Sequence, residues 1–305
     1  MVAVGFSFLG CNAIKVNKLR DRIVPSNDRD WSADLARESF ATLNQETGKI
    51  SLTNIRNNKY ITEKDFISEY YDREFELSEV QSVDFVVVPF KNEALAHTMM
   101  SFGFRDGTYL GVSIEIRTEK DEDYSPLLGT TRQYELIYLF ADERDIIRLR
   151  TRHRDADVYI YPTVATPEQA QQLLVDVVER ANSLAMKPEF YNTLTNNCTT
   201  NLAGHVNTVA QNKIKYGWKV LLPGFSAKYA YDLGLLPNDV PFEDLKALAY
   251  VNELVEAHFD DPNFSQVIRS RRSQLARMAA RQKAREPVLN GSGNEFLNSL
   301  PTIIR

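Results

Sequence analysis

The most regular hydrophobic repeat in the chain lies between residues 170 and 185. Ala170, Leu173, Leu174, Val177, Val178, Ala181, Leu184 and Ala185 recur at intervals of three and four, which places one apolar stripe on a helix. Thr166-Pro167-Glu168-Gln169 supplies its start, with Thr as N-cap, Pro at the first helical position and Gln placed for a capping box. Lys187-Pro188 ends it. Upstream the period falls from 3.6 to two. The run 83–88 is almost continuously apolar and predicts a central strand, while 94–104 and 108–117 read as strands joined by the hairpin signal Arg105-Asp106-Gly107. In the second of these, Val112, Ile114 and Ile116 take one face and Ser113, Glu115 and Arg117 the other.

Weaker alternation predicts strands at 51–56, 72–77, 132–140, 146–151 and 157–161, with Asp142-Glu143-Arg144-Asp145 as a turn and 118–131 as a polar loop lining the substrate groove. The segment 25–31 reads as a loop leading into a short helix. Residues 243–259 predict an amphipathic helix, and 265–285 a basic one whose apolar members are Ile268, Leu275 and Met278. The fold class is α+β, with a five- or six-stranded, mainly antiparallel sheet packed by helices.

At 305 residues the chain can bury a sizeable core as one domain with extensions or as two small domains. A net charge of −5 gives no global signature of nucleic-acid binding. No apolar run approaches the roughly 18 residues that a membrane-spanning helix needs. Two cysteines, Cys11 and Cys198, are too few for a disulfide framework. Neither paired Cys/His spacing nor a phosphate loop is present, so no metal or other cofactor is expected.

The candidate chemistry centres on Cys198. Asn196 and Asn197 are good N-cap residues, and Leu202, Val206 and Val209 follow at helical spacing, so a helix begins close to the cysteine. Unpaired N–H groups and the positive helix end favour thiolate over thiol there. A buried structural cysteine is the plainer alternative. Of four histidines, His205 lies seven residues on, about 10 Å along the axis, too far to bond the sulfur. His153 and His258 fall in charged segments that read as solvated surface. His97 lies in an apolar, strand-like run where an imidazole needs a partner, and it is the expected base. Glu115, on the neighbouring strand, is placed to orient it as a triad carboxylate, or else forms a surface ion pair. The Cys198 N–H, with Asn196 or Asn197, would hold an oxyanion.

These residues also carry a resemblance. The run from His97 through Gly103-Phe-Arg-Asp-Gly-Thr-Tyr-Leu-Gly-Val-Ser-Ile-Glu-Ile-Arg117, then Arg132-Gln-Tyr-Glu-Leu-Ile-Tyr138, Asp142-Glu-Arg-Asp145 and Tyr191-Asn-Thr-Leu-Thr-Asn-Asn-Cys-Thr-Thr-Asn201, is similar to the N-terminal periplasmic domain of the lipoprotein N-acyltransferase Lnb. The similarity spans about 25–240. Asn54, Arg56 and Asn57 match a motif of that family and read as surface hydrogen-bonding residues. A strand histidine preceding a helix cysteine further resembles circularly permuted papain-like enzymes of the NlpC and lecithin retinol acyltransferase kind, which implies a permuted papain-like core.

The resemblance implies a cell-envelope thiol acyltransferase or hydrolase on the outer side of a bacterial membrane. Its reaction would move a fatty acyl chain from a lipid to a lipoprotein amino terminus, with lipid or lipoprotein as substrate and no nucleic acid. A cell-wall amidase or peptidase, or a non-catalytic envelope module, are the alternatives, and pocket lining separates the first of these from an acyltransferase. Residues 1–24 would be a leader or anchor: Met1 to Cys11 resembles the end of a lipoprotein signal with Cys11 as lipid-anchored residue, an unprocessed apolar start being the alternative. Residues 241–305 form an expected helical extension, basic enough over 265–285 to lie on anionic lipid, ending in a mobile tail.

Overall fold

The computed structural model describes residues 24–123, 125 and 127–285. In chain order the strands are β1 (Phe40–Asn44), β2 (Lys49–Arg56), β3 (Lys59–Tyr60), β4 (Phe66–Ile67), β5 (Tyr70–Glu76), β6 (Val80–Pro89), β7 (Ala96–Phe104), β8 (Tyr109–Arg117), β9 (Glu135–Asp142) and β10 (Tyr159–Pro162). The α-helices are α1 (Glu143–Arg148), α2 (Pro167–Met186), α3 (Cys198–Val209), α4 (Trp218–Leu221), α5 (Ser226–Asp232), α6 (Phe242–Ala249), α7 (Asn252–His258), α8 (Phe264–Val267) and α9 (Arg272–Arg285).

One eight-stranded sheet runs β1-β2-β9-β8-β7-β6-β10, with β5 also paired to β2. Every pairing is antiparallel except the short parallel contact of β2 with β9. The sheet exceeds the predicted size because β2 and β5 join it and residues 40–44 add an unforeseen strand. The β7–β8 hairpin forms as predicted, with Gly107 in the left-handed region its turn requires. Alternation sends its residues to opposite faces. Met100, Phe102, Val112 and Ile114 pack with Leu173, Val177 and Leu202 of α2 and α3. On the other face Val86, Val88, Met99 and Leu139 meet Ile146, Val255 and Phe264 of α1, α7 and α8. Each fully buried aliphatic contributes about 1.5–3 kcal/mol.

Helix α2 has the predicted bounds and capping box, Thr166 with Gln169. The strand predicted over 146–151 is instead helical: α1 continues into a π-turn, Leu149–His153. Asp142 accepts the Arg144 N–H, and Glu143 and Asp145 sit in the first turn, so Asp142 to Asp145 is a helix start and not a hairpin turn. Gly111 makes room for this helix, since a Cβ there would lie 2.1 Å from Ile146. No helix follows 25–31. The chain makes a turn closed by the Leu35 N–H on Ser32, and Trp31 bridges to Glu119. The helix predicted over 243–259 breaks at Tyr250, where the chain extends to pair with Tyr159.

Arg56 is not a surface residue. It is 2% exposed and binds both Asp145 carboxylate oxygens, at 2.6 and 3.1 Å. Asn54 adopts φ 58° where the β2–β5 ladder shifts register. The single basic helix expected over 265–285 is instead two, α8 and α9, and both are seated on protein, with Ile268 between them and Leu275 and Ala279 of α9 buried. Met278 packs partly against the same layer, so the exposed side of α9 is its basic one. Cys11, the rest of 1–23 and the tail after Arg285 lie outside the described residues. No described helix is long and apolar enough to cross a membrane.

Arg269 ties these C-terminal helices to the sheet. It is 7% exposed and donates to Asp84 at 2.8 Å and to Glu143 at 2.7 Å. Arg269→Ala would leave buried Glu143 without its counter-charge and Asp84 with Arg272 alone, at 2.6 Å, and urea unfolding should register a loss of about 3–5 kcal/mol.

Candidate active site

Cys198 is the first residue of α3, and asparagines build the turn before it. Asn197 is the N-cap: its Oδ1 accepts the Thr200 N–H at 2.9 Å, and the Thr200 hydroxyl accepts the Asn197 N–H at 2.9 Å. The Asn197 amide also donates to the Thr193 carbonyl. Asn196 donates to the Phe190 carbonyl at 2.9 Å and accepts from Asn201 at 2.9 Å. Both side chains therefore hold the turn that carries the cysteine. With Thr200 and Asn201 satisfied by Asn197, the Cys198 and Thr199 N–H groups are the remaining donors of the first turn, at the positive end of the helix.

A second polar chain braces the same turn from behind. The Tyr138 hydroxyl lies 3.1 Å from Asn201 Oδ1 and 2.7 Å from His205 Nε2. His205 Nδ1 in turn lies 2.6 Å from Asp176. His205, expected to be out of reach of the sulfur, is instead a buried link in this chain.

The thiol meets the sheet where two strands part. The β7–β8 ladder stops at Met99–Ser113, whereas β6 stays paired with β7 as far as Ala96 and β9 with β8 as far as Arg117. Thr98 lies just past the last β7–β8 pair, beside the Cys198 sulfur, and its polar groups favour the thiolate. Continuing the register by two residues brings His97 opposite Glu115, on the same face as Ser113. The imidazole and the sulfur approach through this opening closely enough that each shifts the other's titration. His97 Nε2 lies 2.7 Å from the Ser113 hydroxyl and 3.3 Å from Glu115 Oε1. Ser113 donates to Glu115 at 2.6 Å, so its oxygen receives the Nε2 proton and Nδ1 is the nitrogen left for sulfur.

Arg150, not foreseen as a site residue, completes the set. It is 2% exposed and donates to Glu115 at 2.7 Å and to the Ile146 carbonyl at 2.9 Å. Reading 146–151 as a strand hid it. The acidic first turn behind Asp142 was the signal that a helix would carry it inward.

These neighbours shift all three titrations. Burial pushes the Cys198 thiol up, but the His97 hydrogen bond and charge and the Thr98 donors bring it down to about 7. Burial pushes His97 down, and Glu115 with the sulfur lifts it to about 9. Burial pushes Glu115 up, and His97, Arg150 and Ser113 hold it well below the usual carboxylate range. Between about pH 7 and 9 the pair is thiolate and imidazolium. Cys198 carries a free thiol and is 7% exposed.

Beside it, Thr199 contacts both the sulfur, at 3.7 Å, and Thr98, at 3.2 Å. Thr199 also lines a cavity of about 360 Å³ whose walls are mostly apolar, including Phe85, Met100, Leu202, Val206 and Val220. The 216–234 segment contributes Val220, Tyr229 and Ala230 to it.

The family model for the Lnb N-terminal periplasmic domain matches residues 67–248, more than half of the chain. The chain belongs to that family. No curated protein and no solved structure matches it. The Lnb match contains His97, Ser113, Glu115, Arg150 and Cys198 together, and a periplasmic domain family fits an extracytoplasmic location. In this Lnb-type domain the alkylation rate of Cys198 by iodoacetamide should rise with an inflection near pH 7. In His97→Ala, where burial acts unopposed by an imidazolium, the inflection should move above about 8.5. Glu115→Gln should move it the same way by less.

Proposed function

We propose that this Lnb-type domain is a cysteine-dependent acyl-transfer enzyme of the cell envelope, with Cys198 carrying the acyl group as a thioester. The observation that supports this most is the hydrogen-bonded set from His97 through Ser113 to Glu115, held by Arg150 and placed so that His97 lowers the titration of the Cys198 thiol. The thiolate attacks the acyl carbon of an ester, and the resulting oxyanion is met by the Cys198 N–H at the helix start. His97 gives its proton to the leaving oxygen as the carbon–oxygen bond breaks, which leaves a thioester and a neutral imidazole. An incoming amine or water then loses a proton to His97, attacks the thioester and expels the thiolate. Glu115 and Arg150 keep their charges throughout: they orient the ring and favour its protonated form.

The apolar cavity beside Thr199 favours an acyl chain over the peptide that a cell-wall amidase would hold in a polar groove. Family membership points the same reading toward lipoprotein N-acylation, with a lipid as donor and a lipoprotein amino terminus as acceptor. A strand histidine that precedes a helix cysteine also fits a permuted papain-like arrangement, which we include in the proposal.

Incubation with phospholipid vesicles should give Cys198 an adduct of fatty-acyl mass, detected by intact-protein mass spectrometry, removed by neutral hydroxylamine and absent from Cys198→Ala. Val206→Trp, which fills the cavity, should slow adduct formation about tenfold or more without changing iodoacetamide alkylation. A protein that alkylates rapidly yet never takes up an acyl group would defeat the acyl-transfer reading.

A further inference from the structure

From Phe190 to Tyr231 the chain has no acidic residue, while Lys213, Lys215, Lys219 and Lys228 fall in its second half. In a protein with 41 acidic residues and a net charge of −5 this is a strong local reversal of sign. Lys219 and Lys228 share Asp232, whereas Lys213 and Lys215 form no ion pair among the described residues. The same stretch turns large apolar side chains to solvent: Leu194 is 52% exposed, Tyr216 61%, Trp218 58% and Phe225 43%.

Contacts join these residues into one rim that reaches the segments flanking Cys198 and His97. The Trp218 and Phe225 rings meet edge to face at 5.6 Å, and the Tyr216 hydroxyl donates to the Leu194 carbonyl at 2.9 Å. Leu194 stands four residues before Cys198. Its neighbour Thr193 donates through the backbone to the Gly129 carbonyl at 3.0 Å, which brings in the exposed Leu127 and Leu128. On the other side the Gly224 N–H donates to the Ala94 carbonyl at 3.0 Å. A Cβ on Gly224 would lie 1.7 Å from the Glu93 carbonyl oxygen, so this close approach needs glycine and seats Phe225 beside the strand that carries His97.

We propose that this rim is a docking surface for the anionic face of a lipid bilayer. Trp and Tyr suit the headgroup layer because each pairs an apolar body with a polar tip, the leucines and Phe225 enter the acyl boundary, and the lysines meet anionic headgroups. An acidic peptide would satisfy the lysines but leave apolar groups on three separate segments exposed. Lys219 belongs to both the rim and the cavity wall, and Val220 next to it lines the cavity, so docking brings the cavity to the lipid headgroups. The surface does not depend on the reactivity of Cys198.

The test is co-sedimentation of the full chain with vesicles. It should bind phosphatidylglycerol vesicles, bind pure phosphatidylcholine far more weakly, and lose affinity at high salt. Trp218→Ser/Phe225→Ser and Lys213→Gln/Lys215→Gln should each weaken binding about tenfold or more, with thermal melting and Cys198 alkylation unchanged. Cys198→Ala should bind like the wild type, which separates this surface from the acyl chemistry. Failure to bind phosphatidylglycerol vesicles would overturn the proposal. So would binding that survives both double substitutions but is lost in Arg277→Gln/Arg281→Gln on α9, or binding to a soluble acidic peptide in place of vesicles.

Discussion

The charge on Glu115 is the constraint on which the site depends. Burial opposes ionisation of Cys198, His97 and Glu115 alike, and the charge of each favours the charge of its neighbour. The carboxylate is the anchor because it faces two cations, His97 and Arg150, and takes a further hydrogen bond from Ser113. If it were neutral, burial would push the imidazole down and the thiol would lose the cation that lowers it. The members of such a set act as a unit, so their separate losses do not add.

That arrangement needs both faces of the sheet. Helix α3 with Cys198 lies over the face covered by α2, whereas Ser113 and Glu115 project from the opposite face beside α1 and its π-turn. The two meet where β7 and β8 separate after Met99–Ser113, with Thr98 beside the sulfur. The β6–β7 and β8–β9 ladders continue past that point and keep the opening rigid. The helices after residue 248, beyond the Lnb match, complete the second face through Arg269 and its buried carboxylate partners. Their packing supports the strands from which His97 and Glu115 project.

Local patterns made much of this legible. The capping box at Thr166, the apolar stripe of α2, the Arg105-Asp106-Gly107 hairpin and a helix opening at Cys198 each depend on residues within one or two turns. Glu115 and His97 were readable as partners because a tight hairpin sets the register between its strands. Arg150 was not readable, because 146–151 alternates like a strand and only the Asp142 cap, together with room made by Gly111, turns it into a helix. Arg56 reads as a surface residue in sequence because its partner, Asp145, lies 89 positions away.

By itself the sequence determined most of the elements, the helix cap at Cys198, and a histidine and a carboxylate on neighbouring strands, since all of these follow from spacing, capping and period. Tertiary structure decided that the β7–β8 ladder ends early enough to admit a sulfur, that Arg150 reaches Glu115, and that an apolar cavity opens next to Thr199. Those outcomes are set by packing between segments far apart in the chain, where close approach and desolvation control charge, and no local pattern carries them.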